Sequence, residues 1–250
     1  MELAIVTGVS RGLGEYTAKL LMKRGVHVLG ISRSKQDLSS LAEENGVRYL
    51  HLVRDLSNLA VLESINEEIT KILKEEAVEK LYLVNNAAMI DPIHQGMYYE
   101  AEELAKHVQI NTLAPMVLMN HCLKKGHSLG VAFTGVTITS GAAERPIYGW
   151  SAYCSTKASI NMYTETVGLE QEMEKTKSKI FAFSPGVMDT NMQKQIRSSS
   201  ADQFKDVESF RQYKKSDSLR DPKEVGEVLV KLLLSEDLVN GKVYYVTDYE

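Results

Sequence analysis

The sequence predicts an α/β fold: a single domain over residues 1–250, with a parallel sheet covered by helices on both faces. Three observations lead there. Short apolar runs alternate with segments of helical spacing along the whole chain. A glycine-rich loop, Thr7-Gly8-Val9-Ser10-Arg11-Gly12-Leu13-Gly14, closes the first apolar run and opens the first helical segment. No Pro/Gly/Ser-rich linker and no fixed-period repeat divides the 250 residues, a length that buries about 73% of its surface on folding.

The elements follow in order. Residues 3–7 are apolar and stop at a glycine, so they form a buried strand. Residues 13–24 carry Leu13, Thr17, Leu20 and Leu21 at helical spacing. A second strand spans residues 26–31, a helix 38–45 and a third strand 47–53. Over residues 59–76, Leu62, Ile65, Ile69, Ile72 and Leu73 share one helical face, and residues 81–84 are the fourth strand. The long helical segment at 101–124 must bend at Pro115. Residues 131–139, rich in β-branched side chains, are a strand. The helix at 151–175 takes Ser151 as its N-cap. Strand 179–183 runs into Pro185-Gly186, a helix at 222–234 has proline in its first turn, and residues 242–246 are the last strand. The polar stretch 193–217 breaks the alternation. It is either a solvated insertion or, because it follows the C-terminal end of a strand, a lid over a pocket.

Composition narrows the function. With 44% hydrophobic and 25% charged residues the chain is neither disordered nor collagen-like. A net charge of −4 gives no basic excess, so neither nucleic acid nor an anionic membrane is an expected partner. Two cysteines, Cys122 and Cys154, make no disulfide framework and suit a reducing compartment. No run approaches the ~18 apolar residues of a membrane span. The N-terminus shows no basic region followed by an apolar stretch, so the expected location is cytoplasmic. The six histidines form no ligand cluster with cysteines or acids, and no metal is expected.

The glycine loop lies where a nucleotide-binding fold cradles a pyrophosphate. Glycines let the backbone approach closely, and the helix behind them offers N–H groups and a positive dipole end. Its spacing, Gly8-x3-Gly12-x-Gly14, departs from the usual Gly-x-Gly-x-x-Gly, and a plain strand–helix turn is the alternative. An NAD site usually carries an acid at the end of the second strand. Here that place holds Ser32, followed by Arg33, while Arg11 lies in the loop and Asp37 falls at the next helix start. Two guanidinium groups without an acid suit the 2′-phosphate of NADP(H), unless both are simply solvated.

Tyr153 and Lys157 are one helical turn apart. An ammonium beside a phenol favours its ionised form and lowers its pKa, making an acid–base group usable near neutrality. With 12 tyrosines in the chain, about one Tyr-x3-Lys pair arises by chance, so the surroundings must decide. Ser140 ends the preceding strand, either reaching the same pocket as a donor or serving as a turn residue. Asn85-Asn86-Ala87-Ala88 ends the fourth strand. Asn111 lies inside a helical segment, where asparagine is unfavourable unless it simply faces solvent.

Together these residues resemble the short-chain dehydrogenase/reductase family over nearly the whole chain, with Thr7–Gly14, Asp55-Leu56, Asn85-Asn86-Ala87, Asn111, Ser140, Tyr153/Lys157 and Pro185-Gly186-x3-Thr190 in family order. Residues 138–143, 149–157 and 184–198 look like its benzil reductase branch, which is similar to the sepiapterin reductases. The resemblance implies a single-domain Rossmann fold with a seven-stranded parallel sheet. It also implies a homodimer or homotetramer packed through the helices at 101–124 and 151–175. Gly8, Ser10, Arg11, Gly12, Leu13, Gly14 and Arg33 would bind NADP(H); Asp55 and Leu56 would lie by the adenine. Asn86, Ala87, Pro185 and Gly186 would border the cofactor, and Val187 and Thr190 would hold the nicotinamide carboxamide. Tyr153 would protonate the carbonyl oxygen, Lys157 would lower its pKa and bind the nicotinamide ribose, Ser140 would position the carbonyl, and Asn111 would support a water in a proton relay. Two positions depart from the pattern: Ala88 replaces a usual glycine, and Tyr245 stands where sepiapterin reductases carry a pterin-gripping Asp.

Met89, Ile90, Tyr148, Trp150, Met188 and Met192 flank these motifs and either line a pocket or belong to the core. As a set they suit a small-molecule carbonyl substrate that is apolar or aromatic, a ketone or 1,2-diketone of the benzil-to-benzoin type. The alternatives are a reductase for a pterin or a 3-oxoacyl group, and a non-catalytic NADP-binding regulator.

Overall fold

Period-two alternation of apolar side chains sends Leu3 and Ile5 to one face of the first strand and Ala4 and Val6 to the other, and both faces are buried. The computed structural model describes residues 1–249, and within them seven parallel strands form one sheet in the order β3-β2-β1-β4-β5-β6-β7. The strands are β1 (Glu2–Thr7), β2 (His27–Ser32), β3 (Tyr49–Val53), β4 (Lys80–Asn85), β5 (Ala132–Ile138), β6 (Lys179–Ser184) and β7 (Val243–Tyr245). On one face pack α1 (Gly12–Lys23), α2 (Ser39–Glu44) and α9 (Pro222–Leu233), closing over Val6, Val28, Val84 and Phe183. On the other lie α3 (Leu59–Glu75), α5 (Ala114–Leu129) and α6 (Ser151–Met173), closing over Ile5, Leu29, Leu83 and Phe133. Strand order reverses between β1 and β4, so the C-terminal ends of β1, β4 and β5 open a crevice in which ligands bind in such sheets. Among the described residues no helix is long and apolar enough to cross a membrane.

Three local expectations need correction. The segment 101–124 is not one bent helix. It is α4 (Ala101–Val108), a π-helical turn (Gln109–Leu113) and α5. Pro115, in the first turn of α5, has no N–H to close an α-turn onto Asn111, and the Asn111 side chain is bonded elsewhere, so the backbone widens there. Ser151 is the first residue of α6 and not its cap; Trp150 is the cap residue, and the Ser151 hydroxyl donates to Tyr99 at 3.2 Å.

The stretch 193–217 is no simple solvated insertion. It folds as α7 (Asn191–Arg197) and α8 (Val207–Lys215), with α7 capped by the Thr190 hydroxyl. Ile196, Phe204 and Val207 are buried against Ile90, Trp150 and Tyr153, and the Trp150 and Phe204 rings stack 4.7 Å apart. A third apolar cluster thus sits above the crevice and pins a helical cap over it.

Candidate active site

The glycine loop is shaped by contacts that leave no room for side chains. A Cβ on Gly14 would lie 2.4 Å from the Gly8 carbonyl oxygen and from Asn86 Nδ2, and Gly8 has a φ of +76°. Asn86 Nδ2 donates to the Thr7 carbonyl at 2.9 Å, while the Thr7 hydroxyl accepts from the backbone N–H of Asn86 and Ala87 at 3.0 Å. The chain after β4 therefore clamps the loop after β1. Arg11, extended and exposed, precedes α1 without a side-chain cap, which leaves the first N–H groups of the helix to an anion. Leu13 is core, and Ser10 is half-buried in the turn. A Cβ on Gly12 would meet Thr190 at 3.6 Å, so the loops after β1 and β6 converge across the crevice. That convergence, and the close glycine packing, fit a bound dinucleotide.

At the outer end of the crevice, the Ser32 hydroxyl donates to the Ser34 carbonyl at 2.8 Å and meets His51 Nε2 at 2.9 Å. His51 Nδ1 accepts from the Gln36 N–H at 3.1 Å, so in the neutral ring Nε2 carries the proton. Asp37 turns away to accept from the Ser39 N–H at the start of α2. Arg33 is exposed, and Asp55 lies within its field. Although burial opposes it, hydrogen bonds from Ser57 together with Arg33 and Lys106 hold Asp55 below the usual carboxylate range. Leu56 is buried and its carbonyl accepts from Gln109 at 3.3 Å.

The loop after β6 is held by backbone pairing. The Arg220 N–H donates to Val187 at 3.1 Å and the Asp189 N–H to Arg220 at 3.0 Å. Pro185 is buried, and Gly186 has a φ of +68° where a Cβ would strike the Arg220 guanidinium at 2.6 Å.

Tyr153 and Lys157 do share a face of α6, and both are buried. Ser140, just past β5, lies beside Tyr153, and its oxygen accepts from the Ala142 N–H at 3.2 Å. Lys157 Nζ donates to the Ile138 carbonyl at 2.7 Å and stands 5.6 Å from the centre of the Tyr153 ring. Burial pushes Tyr153 up to about 12, against the pull of the nearby Ser140 hydroxyl, and pushes Lys157 down to about 8. The expectation that the ammonium lowers the phenol is not met in this structure, where removal of the phenol from water sets the direction of its shift.

Asn111 does not face solvent. It is buried in the π-helical turn, where its Oδ1 accepts from the Met89 N–H at 2.9 Å and its Nδ2 donates to the Met89 carbonyl at 2.8 Å. His107, one turn earlier, completes the contact at 2.9 Å; this histidine had no assigned role in the sequence, although its i, i+4 spacing to Asn111 was visible there.

The apolar residues divide. Met89 and Met192 are half-buried beside the site, and Tyr148 is 48% exposed at its rim, accepting from Gln95 at 2.6 Å. Trp150 and Ile90 are core of the cap and do not wall open space, while Met188 packs against the α1 and α9 face. Trp150 still meets Tyr153 edge-on at 5.5 Å. Tyr245 is committed to Glu144, to which its hydroxyl donates. Among the described residues no cluster of His, Cys, Asp and Glu could hold a metal ion.

The chain matches the short chain dehydrogenase family over residues 2–201. It is 39% identical over 249 residues to a benzil reductase ((S)-benzoin forming) of Bacillus subtilis, spanning 100% of both chains. It is 27% identical to the sepiapterin reductase of Bos taurus, over 96% of this chain and 92% of that one. The crystal structure of the YIR035C short chain dehydrogenase/reductase from Saccharomyces cerevisiae superposes with a TM-score of 0.83 at 26% identity, over 98% of this chain and 96% of that one.

Proposed function

The chain belongs to the short-chain dehydrogenase family, and from that premise we propose that it is an NADPH-dependent carbonyl reductase acting on apolar or aromatic ketones and 1,2-diketones. The observation that carries this reading is the buried Tyr153/Lys157 pair, one helical turn apart with Ser140 beside the phenol, next to the crevice that the glycine loop closes. Likeness to the Bacillus subtilis benzil reductase supports the substrate class.

Gly8, Ser10, Arg11, Gly12, Leu13 and Gly14 would take the pyrophosphate of the dinucleotide, largely through backbone N–H groups. Arg11 and Arg33 favour the 2′-phosphate, because Ser32 is locked onto Ser34 and His51 and no carboxylate takes its place. Asp55, Leu56, Asn86 and Ala87 would flank the adenosine half, and Pro185, Gly186, Val187 and Thr190 the nicotinamide half. When bound, the reduced dinucleotide supplies the hydride that the carbonyl carbon accepts.

The remaining chemistry belongs to the chain's own side chains. Ser140 Oγ and Tyr153 Oη donate hydrogen bonds to the substrate oxygen, which gains negative charge as the reduction proceeds. Tyr153, held protonated by burial, gives its proton to that oxygen. Lys157, between Tyr153 and the Ile138 carbonyl, stabilises the phenolate while it lasts. Asn111 ties Met89 beside them. Met89, Met192 and Tyr148 offer an adaptable apolar rim.

Assays of benzil and sepiapterin side by side, with NADPH and with NADH, test the proposal. Diketone reduction with a higher kcat/KM for NADPH is expected, and Tyr153→Phe should abolish turnover while NADPH still binds. Preference for NADH overturns the cofactor, and absence of diketone turnover overturns the substrate. Unchanged rates in Tyr153→Phe overturn the proton donor. We also take the working form to be a homodimer.

A further inference from the structure

His107 is a buried titratable group for which the reaction above finds no use. It is 0% exposed, on α4, one turn ahead of Asn111. Its Nδ1 faces the Asp91 carbonyl oxygen, which has no proton to offer, so Nδ1 carries the hydrogen. In the neutral ring Nε2 is then a bare acceptor, 2.9 Å from Asn111 Nδ2 and 3.1 Å from Thr156 Oγ1. Thr156 has backbone acceptors for its own proton, Ala152 at 2.9 Å and Tyr153 at 3.1 Å. One Asn111 amide proton goes to Met89, so the other is directed at His107. A flipped amide would set its oxygen against the Nε2 lone pair and its NH2 against the Met89 N–H. The imidazole therefore reinforces the Asn111 orientation that the Met89 backbone sets.

Resting on the carbonyl-reductase reading, we propose that His107 is a positioning residue: as a neutral Nδ1–H imidazole it locks Asn111, and through it Met89 beside the catalytic residues. The charged and titratable groups that face it are Lys157 and Tyr153 from α6 and Asp91 from the loop after β4. Burial, joined by the Lys157 charge, holds the imidazole below its usual value against the contacts with Asp91. Protonation would place an N–H where Asn111 now donates, so acid releases the lock and the reduction rate falls with it.

Two measurements test this on the full chain. Nitrogen-15 spectra of histidine-labelled protein at neutral pH should show a neutral Nδ1–H histidine whose signals vanish in His107→Gln. A charged or Nε2–H His107 overturns the proposal, whether or not any ketone is reduced. In kinetics, His107→Leu should lower kcat about tenfold to a hundredfold, with the NADPH dissociation constant read by fluorescence changed less than about twofold. His107→Gln keeps an acceptor and should recover kcat to within about threefold while losing the acid limb of the pH profile. Unaltered kcat in His107→Leu, or an acid limb that survives in both variants, overturns the proposal. A wild-type protein that binds NADPH but reduces nothing overturns the reductase reading instead, and the spectrum alone then decides the state of His107.

Discussion

Burial acts in opposite senses on two neighbours in the site: it drives the Lys157 ammonium down to about 8 and the Tyr153 phenol up to about 12. The phenol is therefore protonated throughout the neutral range, and the ammonium is lost as pH rises through about 8. Reduction should hold level just below that point and decline above it, and Lys157→Met should be slower by about 10²–10⁴-fold with no such decline. A kcat–pH series for both proteins checks this; a wild-type rate that stays level through pH 10 would contradict it. The Tyr153/Lys157 spacing was readable because i and i+4 share a helical face whatever surrounds them. The direction of the Tyr153 shift was not, since desolvation depends on Ala142, Trp150 and the cap above, which are remote in sequence or face the ring only after folding. The rest of the His107 surroundings was hidden for the same reason: Asp91 and Thr156 come from other segments.

The elements on the sheet follow their sequence patterns closely, and those around the crevice depart from them. Strand and helix positions came from alternating and 3.6-residue periods, which reflect burial on the two faces. The π-helical turn at Gln109–Leu113 has no period of its own, because it comes from Pro115 within the chain and from Asn111 reaching across to Met89. The cap was obscured by its own composition: Ile196, Phe204, Val207 and Phe210 are scattered among polar residues, and only contact with Trp150 gathers them. Phe204 is fully buried there, and truncating such a ring costs about 3–5 kcal/mol. Because the cap stands apart from the two sheet cores, Phe204→Ala should loosen α7 and α8 and leave the sheet intact. Faster proteolysis between these helices and a higher KM for the ketone are the expected results. An unchanged digestion pattern would mean that the cap holds without this stack.

For the molecule as a whole, α4 packs beside α6, and Leu104, Val108, Met162, Leu169 and Met173 on these helices are exposed. Apolar side chains concentrated on one pair of helices suit burial against a second copy. Sedimentation equilibrium should give twice the 28.0 kDa chain mass, and Met162→Glu with Leu169→Glu should return it to one. A wild-type protein sedimenting at 28.0 kDa would refute the dimer. Local chemistry suffices for the alternating strands and helices, the glycine loop and the Tyr153/Lys157 pair, because each depends on residues within a few positions of one another. The strand order, the clamp of Asn86 on the glycine loop, the contacts of His107 with Asp91 and Thr156 and the docking of the cap on Trp150 join residues up to 79 positions apart. Only close packing in three dimensions brings those groups into contact, and the burial it imposes, rather than the type of each residue, sets their protonation and orientation.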